Sequence, residues 1–313
     1  MRNNVIIIES ASENGAGKRG ASLGPSALIL ESRSQGLDLF DSLDWVESTE
    51  FNDFYNPDNH NQHAKNAKSV FKALDALSKH TEAAIKEGKF PLILTGDHSN
   101  AIGSISGLKN AHPDKKIGVI WVDAHYDLHS PYTSPSGNIH GMSLNALIAD
   151  DNMEQKCNDV SDTDKGYWEK MKTLGSLEIS PKIEPNNIVF IQVRDFEKPE
   201  AHLVEKHGIR SFQPDEVNSK GIETVLDESL EYLNSCDLIY VSFDVDSQDT
   251  SISVGTGTPV PNGLSSEESQ VVFNKLFNHP KVAAFEITEI NPLLDSENKM
   301  AKAVLKLLEG VLS

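Results

Sequence analysis

Cysteine is almost absent: Cys157 and Cys236 are the only two, and they form no C-x-x-C pair. That argues against a disulfide framework and against a thiolate-bound zinc, and it fits a reduced, cytoplasmic home. Basic residues are scarce too. Against 47 Asp+Glu there are 28 Lys+Arg, a formal net charge of −19. A general nucleic-acid binder needs Lys and Arg clustered toward phosphates, so this balance speaks against that class. The acid excess serves solubility before anything else. No apolar run approaches the ~20 residues of a membrane span. The apolar stretch in MRNNVIIIES is too short for the core of a signal peptide.

What is present is core material: 38% hydrophobic residues over 313 positions, enough for one large α/β domain or two ordinary ones. With no internal repeat and no clear linker, residues 1–313 read as a single domain. Short, nearly continuous apolar runs recur at Val5–Ile8, Phe90–Leu94, Ile117–Val122, Ile188–Val193, Leu238–Phe243 and Val282–Ile287. Runs of this kind predict strands buried on both faces. Helical patterns lie between them. Ala67, Phe71, Leu74, Leu77 and Ile85 make one apolar stripe that ends near Gly88. Ser265 to Glu268 reads as a capping box before the helix Val271–Phe277. Met300, Val304, Leu307, Leu308 and Val311 form a closing amphipathic helix. Strand–helix alternation predicts a mostly parallel sheet wrapped by helices. The polar stretch 47–63 reads as a surface loop. The stretch 150–185 is long for a loop and predicts some helix inside it.

The chemistry-bearing residues fall at strand ends. Ile117–Val122 runs into Asp123-Ala124-His125-Tyr126-Asp127, where alternate side chains of an extended segment share a face. Leu238–Phe243 runs into Asp244-Val245-Asp246, and Phe90–Leu94 into Thr95-Gly96-Asp97-His98. Carboxyl ends of parallel strands are where α/β sheets bind ligands. Four carboxylates and two imidazoles without thiolates suit Mn²⁺, with Co²⁺, Ni²⁺, Fe²⁺ and Zn²⁺ open. Four converging negative charges need cations, and a pair of metals with a bridging water predicts a hydrolase. A lone D-x-D is ordinarily a loop or helix cap, and a lone His98 an ordinary buried histidine; the conjunction of the three strand ends carries the metal reading. Gly15-Ala16-Gly17-Lys18-Arg19-Gly20 fits G-x-G-x-x-G, but Glu9–Asn14 separate it from the strand, and Pro25 is placed to open the helix. Lys18 is followed by Arg19, so it is no P-loop either.

At these residues the sequence resembles the ureohydrolases, and among them most closely the arginases. The resemblance is dense over TGDHSNAIGSISG, IGVIWVDAHYDLHSP and SGNIHGMSLNALIA. It resumes at Val193-Arg194-Asp195, SFDVDSQD, TGTPVPNGL and EITEINP, and is weaker at KRGASLGP. It implies a three-layer α/β/α fold around a mostly parallel sheet, with two Mn²⁺ per chain. By resemblance, His98 and Asp127 bind one ion, His125 and Asp246 the other, and Asp123 and Asp244 bridge them. His140 takes the place of a proton-shuttling histidine and Glu289 that of the guanidinium-holding acid. Ser136 and Asn138 match contacts to the substrate carboxylate. Asp195 and Glu200 match positions near the α-amino group, and Thr258 one near the guanidinium.

Some positions depart from the pattern. His129 stands where arginases usually carry an asparagine that helps bind the α-carboxylate, and Glu197 where they usually carry an aspartate. The stretch from His140 to Arg194 is longer than usual, and Glu267 replaces an interface arginine of some members. The resemblance implies hydrolysis of L-arginine to L-ornithine and urea through a metal-bridging hydroxide, with Asp127 beside the tetrahedral intermediate. It leaves open another guanidino substrate (agmatine, guanidinobutyrate or formiminoglutamate) and a metal-holding member without catalysis. It also implies a homo-oligomer, trimer or hexamer.

Overall fold

The computed structural model describes residues 2, 4–48, 52 and 62–312. In chain order the longer elements are β1 (Val5–Ser10), α1 (Gly24–Ser34), β2 (Asp44–Glu47), α2 (Ala67–Lys86), β3 (Phe90–Thr95), α3 (Asn100–Ala111) and β4 (Ile117–Val122). There follow α4 (Ser143–Ile148), α5 (Asp162–Lys172), β5 (Ile188–Ile191), α6 (Lys198–His207), β6 (Arg210–Phe212), α7 (Pro214–Lys220) and α8 (Ile222–Tyr232). Last come β7 (Leu238–Asp244), α9 (Ser266–Phe277), β8 (Val282–Thr288) and α10 (Lys299–Leu312).

All eight strands join one parallel sheet in the order β2-β1-β3-β8-β7-β4-β5-β6. Alternate residues of each strand feed two cores. Ile7, Leu92, Ile120, Val241 and Phe285 pack with α1, α8, α9 and α10. Ile8, Ile93, Trp121, Phe190 and Tyr240 pack on the opposite face with α2, α3 and α4. The result is three layers, as expected for strands that are apolar on both faces.

The six strands read from sequence are all present. The fourth of them, β5, is shorter than expected: Gln192 adopts a left-handed backbone at φ 79°, so the strand stops at Ile191 rather than Val193. Two further strands, β2 and β6, lie at the sheet edges. They are short and carry exposed or half-buried residues, so they lack the apolar run that marks the others. Glu47 belongs to β2; of the expected loop 47–63, residues 49–51 and 53–61 lie outside the described residues. The stretch 150–185 contains α5, capped by the Ser161 hydroxyl. Ser265 and Glu268 form the expected capping box, and Pro25 is the second rather than the first residue of α1.

The helix that follows β3 is held unusually close to its neighbour. At Gly103 a Cβ would stand 2.8 Å from the Leu74 carbonyl, and at Gly107 2.4 Å from that of Ser78. Glycine alone permits α3 to lie this near α2. The packing matters because α3 opens directly after His98.

Candidate metal centre

Five neighbouring strands, β3, β8, β7, β4 and β5, deliver their carboxyl ends to one cleft of about 230 Å³. Three of these ends share a local device. Asp123 Oδ1 accepts the backbone N–H of His125 at 2.7 Å, Asp244 Oδ1 that of Asp246 at 2.8 Å, and Asp97 Oδ1 that of Ser99 at 2.8 Å. Each aspartate thus closes a turn on the residue two places on, which fixes its carboxylate just past the strand. This corrects the expectation of an extended Asp123–Asp127 segment. The strand ends at Val122, and Asp127 is left-handed at φ 52°. Turn geometry, and not strand alternation, brings Asp123, His125 and Asp127 to the same cleft.

Around His98 the arrangement is dense. Its Nδ1 lies 3.0 Å from Asp123 Oδ2, 3.1 Å from Asp127 Oδ2 and 3.1 Å from Asp244 Oδ2. One ring nitrogen carries at most one proton, so it cannot serve three carboxylates. Both His98 Nδ1 and Asp123 Oδ2 are buried without an aligned hydrogen-bond partner. The other ring nitrogen meets Ser242 Oγ at 2.8 Å, Ser242 donates to the buried Glu286 at 2.8 Å, and the ring stacks on Trp121 at 4.0 Å. Beside it, His125 Nδ1 lies 3.1 Å from Asp246 Oδ2 and 3.5 Å from Asp123 Oδ1. Among the described residues three groups have the spacing of metal ligands: His98 with Asp123 and Asp244, His125 with Asp123 and Asp246, and, at the outer end of the cleft, His129 with Glu197 and Glu200; the first two adjoin. Asp123 is common to both. Asp244 falls in the first alone, and Asp127 reaches His98.

The electrostatics point the same way. Burial pulls His98 and His125 down, but the carboxylates more than reverse it, and both imidazoles are held well above their ordinary value. Burial and the neighbouring acids Asp246 and Asp123 push Asp244 well up. The carboxylates thus favour positive charge at both imidazoles. Imidazole nitrogens and carboxylate oxygens, buried, converging and short of partners, fit a pair of divalent cations.

Across the cleft, Glu289 follows β8 with a left-handed backbone at φ 67°. Its Oε1 accepts the His98 backbone N–H at 3.0 Å and meets His140 Nδ1 at 2.9 Å. Burial lowers the His140 pKa, but the Glu289 charge and hydrogen bond outweigh it and raise the ring to about 9. Divalent cations in the site would cancel part of that field. Thr258 donates to Asp246 Oδ2 at 3.2 Å. Asp195 Oδ2 lies 3.9 Å from His125 Nε2.

At the outer end, His129 is buried with both ring nitrogens engaged. Nε2 meets Glu197 at 2.9 Å, with Glu200 at 3.5 Å, and Nδ1 meets Thr133 Oγ1 at 3.2 Å. The bond from His129 lowers Glu197 to about 2, whereas burial, reinforced by Glu197, raises Glu200 to about 8. Ser136 lines the cleft. Asn138 does not; its amide packs beside Gly17, where a Cβ would stand 2.5 Å from Nδ2. The other residues singled out from sequence all line it. Those the reading passed over are Asp97, Ser242 and Glu286. Asp97 Oδ2 accepts the backbone N–H groups of Gly15 and Ala16 at 2.7 and 3.2 Å, so the glycine-rich loop serves the site's frame. Glu286 had a visible signal, an acid inside an apolar strand.

Residues 3–313 match the sequence profile of the Arginase family. The chain belongs to the arginase family. It is 34% identical to the arginase of Staphylococcus aureus (strain COL) over 312 residues, covering 97% of this chain and 95% of that one. It is 36% identical to the arginase of Bacillus subtilis (strain 168) over 245 residues, 78% of this chain and 76% of that one. Among solved structures, arginase from Bacillus subtilis superposes with a TM-score of 0.81 at 31% identity, covering 100% and 99% of the two chains. Entamoeba histolytica arginase, solved with L-ornithine, gives 0.83 at 27% identity, with 98% and 97% covered. The three-layer parallel fold is that of these arginases.

Proposed function

We propose that the chain hydrolyses L-arginine to L-ornithine and urea over two divalent cations. The observation that carries this is one cleft that sets two imidazoles and four aspartates beside the Glu289–His140 pair. In this reading His98, Asp123, His125, Asp127, Asp244 and Asp246 would hold the two ions, with Asp123 common to the two adjoining groups of ligand spacing. Two bound cations would neutralise the aspartates and supply a water acidic enough to attack a guanidinium carbon at neutral pH. Oxygen-rich ligation with two imidazoles favours Mn²⁺, and Co²⁺ is the nearest substitute.

The rest of the task falls to side chains. Glu289 pairs with the guanidinium and fixes its plane relative to the aspartates. His140, kept protonated beside Glu289, passes its proton to the departing amine. Asp127 faces the carbon under attack, and Thr258 steadies Asp246. Glu197, Glu200 and Asp195 form an acidic wall suited to the α-amino group. Ser136 offers a hydroxyl for the α-carboxylate; Asn138, matched by resemblance to the same role, has its amide beside Gly17, outside the cleft. We infer a single domain from the lack of a linker, a cytoplasmic location from the scarcity of cysteine, and a trimer or hexamer from the family resemblance; light scattering tests the last.

A second substrate is favoured by one observation. With both nitrogens of His129 taken up by Thr133 and Glu197, that residue offers no donor to a carboxylate, and agmatine needs none. Urea release from L-arginine, agmatine, 4-guanidinobutyrate and formiminoglutamate by one metal-loaded preparation separates the readings. L-Arginine should give the highest kcat/KM. Equal or better turnover of agmatine would overturn it, and urea from none of them would leave a catalytically silent member.

A further inference from the structure

We propose that the segment Asp151–Asn158 is a buttress that sets the substrate-carboxylate rim, with Asn158 as a positioning residue. The rim is the irregular run Ser130–Asn138, which carries Ser136 and Asn138. Such a run has no ladder of its own, so something must satisfy its carbonyls and fix its shape. Asn158 does both. Its Nδ2 donates to Pro131 O at 3.0 Å and to Ser134 O at 2.7 Å, spending both amide protons on the rim. The backbone N–H groups of Cys157 and Asn158 both donate to Tyr132 O, at 2.9 and 3.0 Å. From the other direction, Ser130 Oγ donates to Asp151 O at 2.7 Å.

The buttress is itself anchored. Asp151 Oδ1 accepts the indole N–H of Trp168 at 2.7 Å and Lys172 Nζ at 3.0 Å, both from α5. Trp168 and Met171 are buried against α2 and α3 residues Val70, Leu74 and Ile102. A continuous path thus runs from the helical layer through α5 and Asp151–Asn158 to the rim. Ser134 Oγ in turn accepts the Gly137 N–H at 2.9 Å, and Ser136 Oγ that of Asn138 at 3.2 Å. Fixing Ser134 fixes the turn that presents the Ser136 hydroxyl. Neither Asn158 nor its segment lines the cleft, so this effect reaches substrate only through the rim.

The inference rests on the reading of Ser136 as a carboxylate contact, and its test separates the two. The metal-loaded full chain and its Asn158→Asp and Asn158→Ala variants are assayed with L-arginine and with agmatine, which lacks the carboxylate. Lys156→Ala, at a surface ion pair of the same segment, is the control. Asn158→Asp should raise the KM for L-arginine about tenfold, the factor lost with one neutral hydrogen bond. It should leave kcat, metal content and the agmatine KM unchanged. Asn158→Ala should do the same without a new charge. Hydrogen exchange over residues 130–138 should quicken in both, and Lys156→Ala should change nothing. An unchanged arginine KM, or equal rises for both substrates, would overturn the proposal. If the wild type releases no urea from L-arginine, the substrate reading fails by itself. Exchange then decides the buttress, and undiminished protection of the rim in Asn158→Asp would refute it.

Discussion

Asp127 and Glu289 are both non-glycine residues with left-handed backbones, and both face the cleft. Such a conformation costs on the order of 1 kcal/mol or more and persists where surrounding structure holds it. Here the Glu289 N–H donates to Gly96 O, and the Asp127 carbonyl accepts from Leu144, at 2.9 and 3.1 Å. The sequence names these acids but carries no signal of their backbone twist. If Glu289 holds the guanidinium by charge, Glu289→Gln should lower kcat/KM by about two orders of magnitude, as loss of a well-placed charged contact does. If His140 moves the proton, His140→Asn should lower kcat by a similar factor, about 10²-fold. Metal analysis should show both variants fully loaded. A variant with normal kcat would remove that residue from its role; a variant stripped of metal would move it into the ligand set.

The same reasoning at the level of elements concerns how α3 carries His98 into place. The close approach at Gly103 leaves no room for a side chain. Gly103→Val should push α3 from α2, cost about 1–3 kcal/mol of stability by overpacking, and reduce metal retention because His98 moves. Ser265→Ala removes the cap of α9 at a residue that does not line the cleft. It should cost about 1 kcal/mol and leave kcat/KM alone. Urea denaturation together with metal content reads both, and metal loss in Ser265→Ala would contradict this division. Elements also mark what the sequence revealed. Strands buried on both faces announce themselves by unbroken apolar runs, and the stripe and capping box located α2 and α9. The edge strands β2 and β6 have one side open to water and no such run. At the site, residue types and spacing picked out six side chains that the fold brings to one cleft. The turns closed by Asp123 and Asp244, the left-handed Asp127 and the pairing of His129 with Glu197 depend on tertiary contacts that no local pattern encodes.

For the whole molecule, the charge of −19 is partly concentrated in one buried cluster. The pKa values of His98, His125 and Asp244 are all raised, so a cation bound among them competes with protons for the same side chains. Affinity should therefore strengthen as pH rises and fade as pH falls, with net proton release near neutrality. Calorimetric titration with Mn²⁺ in buffers of different ionisation enthalpy measures that release; enthalpies that do not vary with buffer would contradict it. Each bound ion should also stabilise the fold by about 2.7 kcal/mol at a hundredfold excess over its Kd, seen as a rise in Tm that chelator reverses.

The most direct test of the central claim is to remove metal from the chain and follow urea release from L-arginine while Mn²⁺ is returned in measured steps. The account predicts negligible release from the stripped protein and recovery that levels off at two ions per chain. Release that persists with chelator present, or that is complete at one ion per chain, would contradict it.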